Sequence, residues 1–354
     1  MSTKFLAFVL SFLSIFALWG PNAQPNNIPE TRSYQGDAPD KYEVWPTEEF
    51  ERGDVPFWLR PGLLKAAYEV NDFFSNARPD SFLVLYKGKL VFEEYYNGYD
   101  KDTVHFMASV TKSVVSALVG VAIGEGKIKG VDQKVIDFFP DAVIAPGQES
   151  KRDMTVEHLL TMTNGLPGDN DPVDWEWWDA PDSGKAAFET PQMAAPGTKY
   201  SYSSGPGAQT LACLVSRAVG QNLSDYAKEK LFGPLGMTSV QWGTTEDGQP
   251  TGGFGINMTP RDMARFGYLY LNYGRWGDKQ MIPADYVLKS PPRAMTQQAY
   301  GYMFWNFRLL PMGGFGFFEA SGAQQQKIAI LPGLDTVIVL TSTEFTFWER
   351  LGLG

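Results

Sequence analysis

The sequence predicts an α+β fold in which one antiparallel sheet is built from both ends of the chain and flanked by helices, beside a mainly helical lobe. Two β-rich runs, residues 81–86 and 89–96, surround Lys87-Gly88 as a hairpin. Three later runs have the same character and occupy residues 315–321, 327–331 and 336–341. Helical patterns fill the middle of the chain, so a cleft is expected where sheet and helical lobe meet.

Two of the central helices have clear sequence signals. The segment 207–219 carries a stripe of small and apolar residues that includes the single cysteine, Cys213, which we interpret as core packing. The second helix starts at Thr259, because a threonine N-cap, a proline at the first position (Pro260) and an acid in the first turn (Asp262) follow one another. Both patterns predict amphipathic helices that cover a core.

Composition excludes several classes of function. The chain has 354 residues, 44% of them apolar and 14% aromatic, which is enough for a sizeable core. With 30 basic and 40 acidic residues the net charge is −10, which repels phosphate backbones and excludes nucleic acid as a partner. A single cysteine rules out an internal disulfide framework, and two histidines, His105 and His158, are too few for the usual zinc sites. We therefore expect no metal and no cofactor.

The N-terminal segment predicts export. Residues 1–23 resemble a secretory signal peptide or an uncleaved anchor, because an uncharged stretch at 5–20 follows one basic residue. That stretch is shorter than the roughly 20 residues of a spanning helix. Residues 24–56 are rich in Pro, Asn, Asp and Gly and predict a poorly structured lead-in. The folded domain is expected over 57–354, with a first helix at 63–77, and to be periplasmic or extracellular.

The most informative motif is Ser109-Val110-Thr111-Lys112, at the head of an apolar run that ends at Ile123. If a helix starts near Ser109, residues three apart share one face with Cβ atoms about 5–6 Å apart, so the Lys112 amine reaches the Ser109 hydroxyl. A lysine can accept the serine proton only when it is neutral, which burial and the positive end of a helix dipole both favour. The four-residue pattern alone is common, but a lysine at the head of a buried helix is costly and favours a catalytic role.

Two further segments complete a candidate site. In the run 196–205, Tyr202 and Ser204 occupy alternate positions and can face the cleft together, with Tyr202 as a proton relay. The alternative is that Tyr202 only packs. Ala320-Ser321-Gly322-Ala323 lies at a strand edge, where small residues let a substrate approach the backbone. The amides of Ala323 and Ser109 can then form an oxyanion hole, or Gly322 is an ordinary strand bend.

The loop at residues 168–179 mixes aromatic and acidic residues after a helix. It can line the acyl or leaving-group pocket and accept a cationic group such as a free amine. The alternative is a solvated loop held by its tryptophans.

These segments, in this order, resemble the signatures S-x-x-K, Y-x-N and K-T-G of the serine β-lactamase and penicillin-binding-protein superfamily. The chain is most similar to the class C-related branch, which includes 6-aminohexanoate-dimer hydrolase, D-alanyl-D-alanine carboxypeptidases and many esterases. The resemblance extends from about residue 81 to 341 through segments such as His158-Leu-Leu-Thr-Met-Thr-Asn-Gly-Leu166 and Phe232-Gly-Pro-Leu-Gly-Met237. It implies a β-lactamase/transpeptidase-like fold and a structural role for His158.

The same resemblance assigns roles to the site. It implies Ser109 as acylated nucleophile, Lys112 as base and Tyr202 as proton relay. Ser204 is the third residue of the second motif, Ala320-Ser321-Gly322 the strand motif, and Ala323 an oxyanion amide. The chain departs from the family where Ser204 replaces asparagine and where Ala320 replaces the cation that binds a substrate carboxylate.

The missing cation favours a secreted esterase or amidase that cleaves a small ester or amide. The alternatives are a D,D-carboxypeptidase or β-lactamase and, from another class, a non-catalytic binding protein on the same fold. The expected partner is the small-molecule substrate, with no membrane contact beyond an N-terminal anchor. Oligomeric state leaves no signature in the sequence.

Overall fold

A computed structural model describes residues 44–56, 77–172, 175–290, 300–308 and 316–344. The segment predicted as a leader (1–23) lies outside the described residues, as does the predicted first helix (63–77) except for its last residue, Ala77, which begins a strand. No helix in the described part of the chain is both long enough and apolar enough to cross a membrane.

The described residues form a seven-stranded antiparallel sheet with the order β2-β1-β12-β11-β10-β9-β8. Strand β12 lies between β1 and β11, so strands from the two ends of the chain pair directly, as the sequence predicts. The strands of this and two smaller sheets are β1 Ala77–Tyr86, β2 Lys89–Tyr95, β3 His105–Phe106, β4 Gln241–Trp242, β5 Ile256–Met258, β6 Arg275–Trp276, β7 Lys279–Gln280, β8 Tyr300–Gly301, β9 Phe304–Arg308, β10 Gly316–Gly322, β11 Gln326–Leu331 and β12 Thr336–Glu344.

Helices from the middle of the chain cover one face of the sheet and build the second lobe. They are α1 Val110–Gly124, α2 Val156–Leu160, α3 Ser183–Glu189, α4 Pro206–Val219, α5 Leu223–Ala227, α6 Gly233–Leu235, α7 Pro260–Leu271 and α8 Ala284–Lys289. Helix α1 is buried along almost its whole length and contacts both α4 and β10, because its sequence is apolar on all sides. It therefore lies at the junction between the sheet and the helical lobe.

Local sequence signals explain the helix ends and turns. The Thr259 hydroxyl accepts a hydrogen bond from the Asp262 amide at the start of α7, which confirms the predicted N-cap. Thr155 and His158 form a reciprocal capping box on α2, so the structural interpretation of His158 is confirmed. Cys213 is buried within α4, also as expected.

The predicted lead-in, residues 24–56, is corrected where the structure describes it. Residues 44–56 pack onto the domain: Phe50 is buried in the main core, and the Trp45 ring lies 5.5 Å from that of Trp276. A composition rich in Pro and Asp suggested disorder, but two aromatic anchors bury enough apolar area to hold an irregular segment in place.

Candidate active site

Ser109 lies on a tight turn between β3 and α1. Helix α1 begins at Val110, as the motif predicted, and Ser109 is its N-cap residue, but its hydroxyl makes no capping bond. The preceding residue, Ala108, adopts a left-handed conformation with φ 45°, which is uncommon for a residue with a side chain. The Met107 amide donates to the Ile256 carbonyl at 2.8 Å and ties this turn to β5. The Ser109 hydroxyl is thus held at the N-terminal end of the buried helix α1.

Lys112 is buried one turn into α1, with 1% of its surface exposed. Its Nζ lies 2.8 Å from Ser109 Oγ, 2.9 Å from Ser204 Oγ and 2.7 Å from the Gly253 carbonyl oxygen. Burial lowers the pKa of Lys112 to about 7, and the negative charge of Asp169 acts in the opposite direction. The amine is therefore close to a hydroxyl whose proton it can accept, with a pKa suited to that exchange.

Tyr202 and Ser204 both reach Lys112, as their alternate spacing predicted. The Lys112 ammonium lies 4.8 Å from the centroid of the Tyr202 ring, and Trp305 stacks on the same ring at 5.8 Å. Burial raises the pKa of Tyr202 to about 12, although a hydrogen bond with Ser109 lowers it. The phenol is therefore protonated at neutral pH and hydrogen-bonded to the Ser109 hydroxyl.

Asp169 belongs to the site, and the sequence did not single it out for this position. Its carboxylate accepts hydrogen bonds from the Ser204 amide at 2.6 Å and from the Ser204 hydroxyl at 2.7 Å. The Asp169 amide donates to the Tyr202 carbonyl at 2.7 Å, so the loop at 168–179 is bonded back onto the Tyr202 segment. The acidic residues of this loop are the sequence signal that could have identified Asp169, but they predicted a cationic ligand rather than a contact with Ser204.

Gly322 brings the end of β10 against the turn that carries Ser109. A Cβ atom at Gly322 would lie 2.3 Å from the Met107 carbonyl oxygen, too close for any side chain. Only glycine allows this approach of two backbones. Ala323 follows directly in an exposed turn, and the role of its amide in an oxyanion hole stays a prediction.

Ala320 and Gly322 lie on one face of β10 and Ser321 on the other, and the predicted approach of a substrate to this backbone stays a prediction. Ala320 pairs with Ile328 and has no exposed surface. Ser321 accepts a hydrogen bond from Lys327, which also donates to Glu319 at 2.9 Å. Since neighbouring strand residues point to opposite faces, Ser321 and Lys327 lie on the face away from the Gly322 contact. The side chain of Ser321 therefore points away from the Ser109 turn, while Gly322 meets it.

The end of β10 is partly exposed beside the site, at Ser321 and Gly322. Strand β9 pairs with β10 from Gly316 to Glu319, and within the described residues that pairing ends before Ala320. An unpaired strand edge offers N–H and C=O groups to an extended ligand.

Aromatic rings flank the site on the side of the loop. Phe254 follows Gly253, whose carbonyl accepts from Lys112, and Trp178 stacks on Phe254 at 5.7 Å with an interplanar angle of 7°. Trp175 lies 6.3 Å from Phe254 and is 46% exposed. The tryptophans thus hold the loop at 168–179, as one of the two alternatives predicted, and Trp175 exposes an apolar surface to solvent.

A serine and a buried lysine at the start of a core helix, beside an antiparallel sheet, are the arrangement of the β-lactamase-fold serine hydrolases. The chain belongs to the β-lactamase family, whose sequence profile matches residues 76–351. It is 27% identical over 315 residues to 6-aminohexanoate-dimer hydrolase from Paenarthrobacter ureafaciens, covering 78% of this chain and 76% of that protein. It is 26% identical over 289 residues to penicillin-binding protein 4 from Amycolatopsis lactamdurans, covering 68% and 72%.

Solved structures confirm the predicted fold. A Bacillus anthracis protein described as a 6-aminohexanoate-dimer hydrolase superimposes with a TM-score of 0.67 at 22% identity, over 93% of this chain and 95% of that one. A class C β-lactamase superimposes with a TM-score of 0.60 at 16% identity, over 80% and 92%. The recognition made from the sequence motifs is therefore confirmed at the level of family and fold.

Proposed function

We propose that this protein hydrolyses a small ester or amide through an acyl-enzyme on Ser109, with Lys112 as base and Tyr202 as proton relay. One observation carries the proposal: the Lys112 amine is buried, has a pKa of about 7 and lies 2.8 Å from the Ser109 hydroxyl. At neutral pH a large fraction of this amine is neutral and can act as a base.

In the acylation step, Lys112 accepts the Ser109 proton while Oγ forms a bond to the substrate carbonyl carbon. The carbonyl electron pair moves onto oxygen, where the amides of Ser109 and Ala323 stabilise the charge, typically by a few kcal/mol per donor. When the tetrahedral intermediate collapses, the bond to the leaving group breaks. Tyr202 then gives its proton to the leaving group and recovers one from Lys112. Water repeats the sequence on the acyl-enzyme and releases the acid.

Three features support an uncharged or apolar substrate. The β10 edge beyond Glu319 can bind an extended acyl chain, and Trp175 and Phe254 offer an aromatic surface nearby. The position of the family's carboxylate-binding cation holds the buried Ala320, while Lys327 is engaged with Glu319 and Ser321. A β-lactam or D-Ala-D-Ala carboxylate therefore lacks its usual partner.

A fluorophosphonate probe tests the nucleophile. We expect mass spectrometry to place the adduct on Ser109 and the Ser109→Ala variant to lose it. Ser113→Ala is the matched control, since Ser113 lies on the same helix but donates its hydroxyl to the Met303 carbonyl at 2.7 Å. An adduct on another residue, or none on protein that circular dichroism shows to be folded, contradicts the proposal.

A substrate panel tests the substrate class. It contains p-nitrophenyl esters of graded chain length, aminoacyl amides, a linear amide dimer and nitrocefin. We expect ester or amide turnover to exceed nitrocefin turnover. Faster hydrolysis of nitrocefin, or penicillin labelling, would support the β-lactamase or carboxypeptidase alternative.

We also propose that the enzyme is exported, on the basis of residues 1–23 alone. Expression of the full chain in a secreting host, with N-terminal sequencing of the product, tests this. Retention of the intact chain in the cytosol is the contrary result.

A further inference from the structure

The hydrogen bonds around Lys112 have fixed donors and acceptors, and Asp169 determines one of them. Ser204 Oγ donates its only proton to Asp169 Oδ2 at 2.7 Å, so towards Lys112 it can only accept. The Gly253 carbonyl, 2.7 Å from Lys112 Nζ, has no proton to donate at all. Two of the three groups around the amine are therefore obligatory acceptors.

The direction of these hydrogen bonds matters when Lys112 is neutral. A neutral amine has two N–H groups and one lone pair. Since Ser204 and Gly253 take the two N–H groups, the lone pair is left for the third neighbour, the Ser109 hydroxyl at 2.8 Å. That is the orientation in which Lys112 can accept the Ser109 proton.

We propose that Asp169 is a positioning residue for acylation: it holds the Ser204 proton so that Ser204 cannot donate to Lys112 and compete with Ser109 for the lone pair. The inference rests on the proposed function of Ser109 and Lys112. Without the carboxylate, the Ser204 hydroxyl can rotate and donate to the amine, which blocks the base. Asp169 and Ser204 together then stand where the family has a single asparagine.

The backbone of Asp169 is held directly, and the carboxylate of Asp171 in the same loop has separate partners. The Asp169 amide is bonded to the Tyr202 carbonyl, and Asp171 accepts from the Gly168 amide at 2.9 Å and from the Ser201 hydroxyl at 3.2 Å. Asp171 thus offers a matched control, because it is a carboxylate of the same loop that accepts from Gly168 and Ser201 and not from Ser204.

The experiment compares second-order rate constants for phosphonylation by a fluorophosphonate, in which the Oγ–P bond forms and fluoride leaves. No knowledge of the natural substrate is needed. We expect Asp169→Ala to slow the reaction roughly 10²-fold and Asp171→Asn to leave it near the wild-type rate. We expect Asp169→Ala/Ser204→Ala to react at least as fast as Asp169→Ala, because the competing hydroxyl is gone.

The pH profile supplies a readout that a purely structural role would not move. Among the residues that the structure describes, Asp169 and Tyr202 are the titratable groups that face Lys112, and the charge of Asp169 raises the Lys112 pKa. Asp169→Asn should therefore shift the acidic limb of the rate profile to lower pH, while Asp171→Asn should not.

Two results overturn the inference. One is an Asp169→Ala variant that reacts at the wild-type rate. The other is a double variant slower than Asp169→Ala, which would show that Ser204 does not compete with Ser109 for the lone pair. Failure of the proposed function looks different, because Ser109→Ala would then react like the wild type whatever stands at position 169.

Discussion

Two lysines are buried equally in this protein, and they differ in what their amines contact. Lys112 and Lys151 each expose 1% of their surface, and burial lowers the pKa of Lys112 to about 7 and that of Lys151 to about 8. Lys151 donates to the carbonyls of Phe188, Glu189 and Thr190 at the end of α3. A cation at a helix C-terminus stabilises the unpaired carbonyls there.

The comparison shows that burial and a lowered pKa do not define a catalytic base. The partners of Lys151 are carbonyl oxygens, which have no proton to give. Lys112 contacts a hydroxyl, Ser109, that can lose one. The sequence argument that a buried lysine has little structural reason is wrong in general, since Lys151 has such a reason, and it is the neighbouring hydroxyl that sets Lys112 apart.

The largest expected effect is on activity, from Lys112→Ala. Loss of the base should reduce phosphonylation of Ser109 roughly 10³-fold. The matched variant Lys151→Ala should label at the wild-type rate. Equal labelling of Lys112→Ala and wild type would erase the distinction between the two lysines.

Tyr202→Phe should have the next largest effect on activity, because it removes the hydroxyl of the proposed proton relay. It leaves a phenyl ring beside Lys112, as Phe188 lies beside Lys151. The Phe188 ring lies 5.8 Å from the Lys151 amine, as the Tyr202 ring lies 4.8 Å from that of Lys112. We expect ester turnover to fall roughly 10²-fold with little change in melting temperature. Unchanged turnover would assign Tyr202 to packing alone.

Lys151→Met should reverse the pattern and affect stability rather than turnover. Three carbonyls lose their donor, and unpaired polar groups of this kind cost about 1–3 kcal/mol of unfolding free energy. Urea unfolding and turnover on the same preparation measure both quantities. A variant that loses turnover but not stability would contradict a structural role for Lys151.

The smallest effect is a pH dependence of stability. The pKa of Lys151 is about 8 in the folded state and 10.5 as a reference value, so between these pH values the unfolded state binds more protons. Stability contributed by Lys151 therefore rises with pH across that window. Urea unfolding at pH 8 and 10 should show the wild type gaining stability relative to Lys151→Met. A constant difference would contradict this linkage.

Spacing along the chain predicted the parts of the site whose residues are close together in the sequence. Ser109 and Lys112 share a helix face, and Tyr202 and Ser204 share alternate positions, so short-range periodicity placed them correctly. The hairpin, the late strands and the Thr259 cap followed from equally local signals. Residues that are close together in the sequence determine these features.

The features that the sequence did not predict depend on contacts between distant segments. Asp169 lies 35 residues from Ser204, and only the fold of an irregular loop brings the two together. The strand motif was found, but its side-chain directions depend on which face of β10 meets α1. Residues 44–56 were misjudged because composition does not report what a few aromatic residues can pack against.

The central position of β12 has a consequence for when this enzyme can act. The strand pairs with β1, which precedes Ser109 in the chain, and with β11, which follows Gly322. A nascent chain that already carries Ser109, Lys112 and Tyr202 still lacks the strands that bring Gly322 against Met107. We therefore expect the candidate site to be complete only after synthesis has passed β12, and a growing chain to be inactive until then.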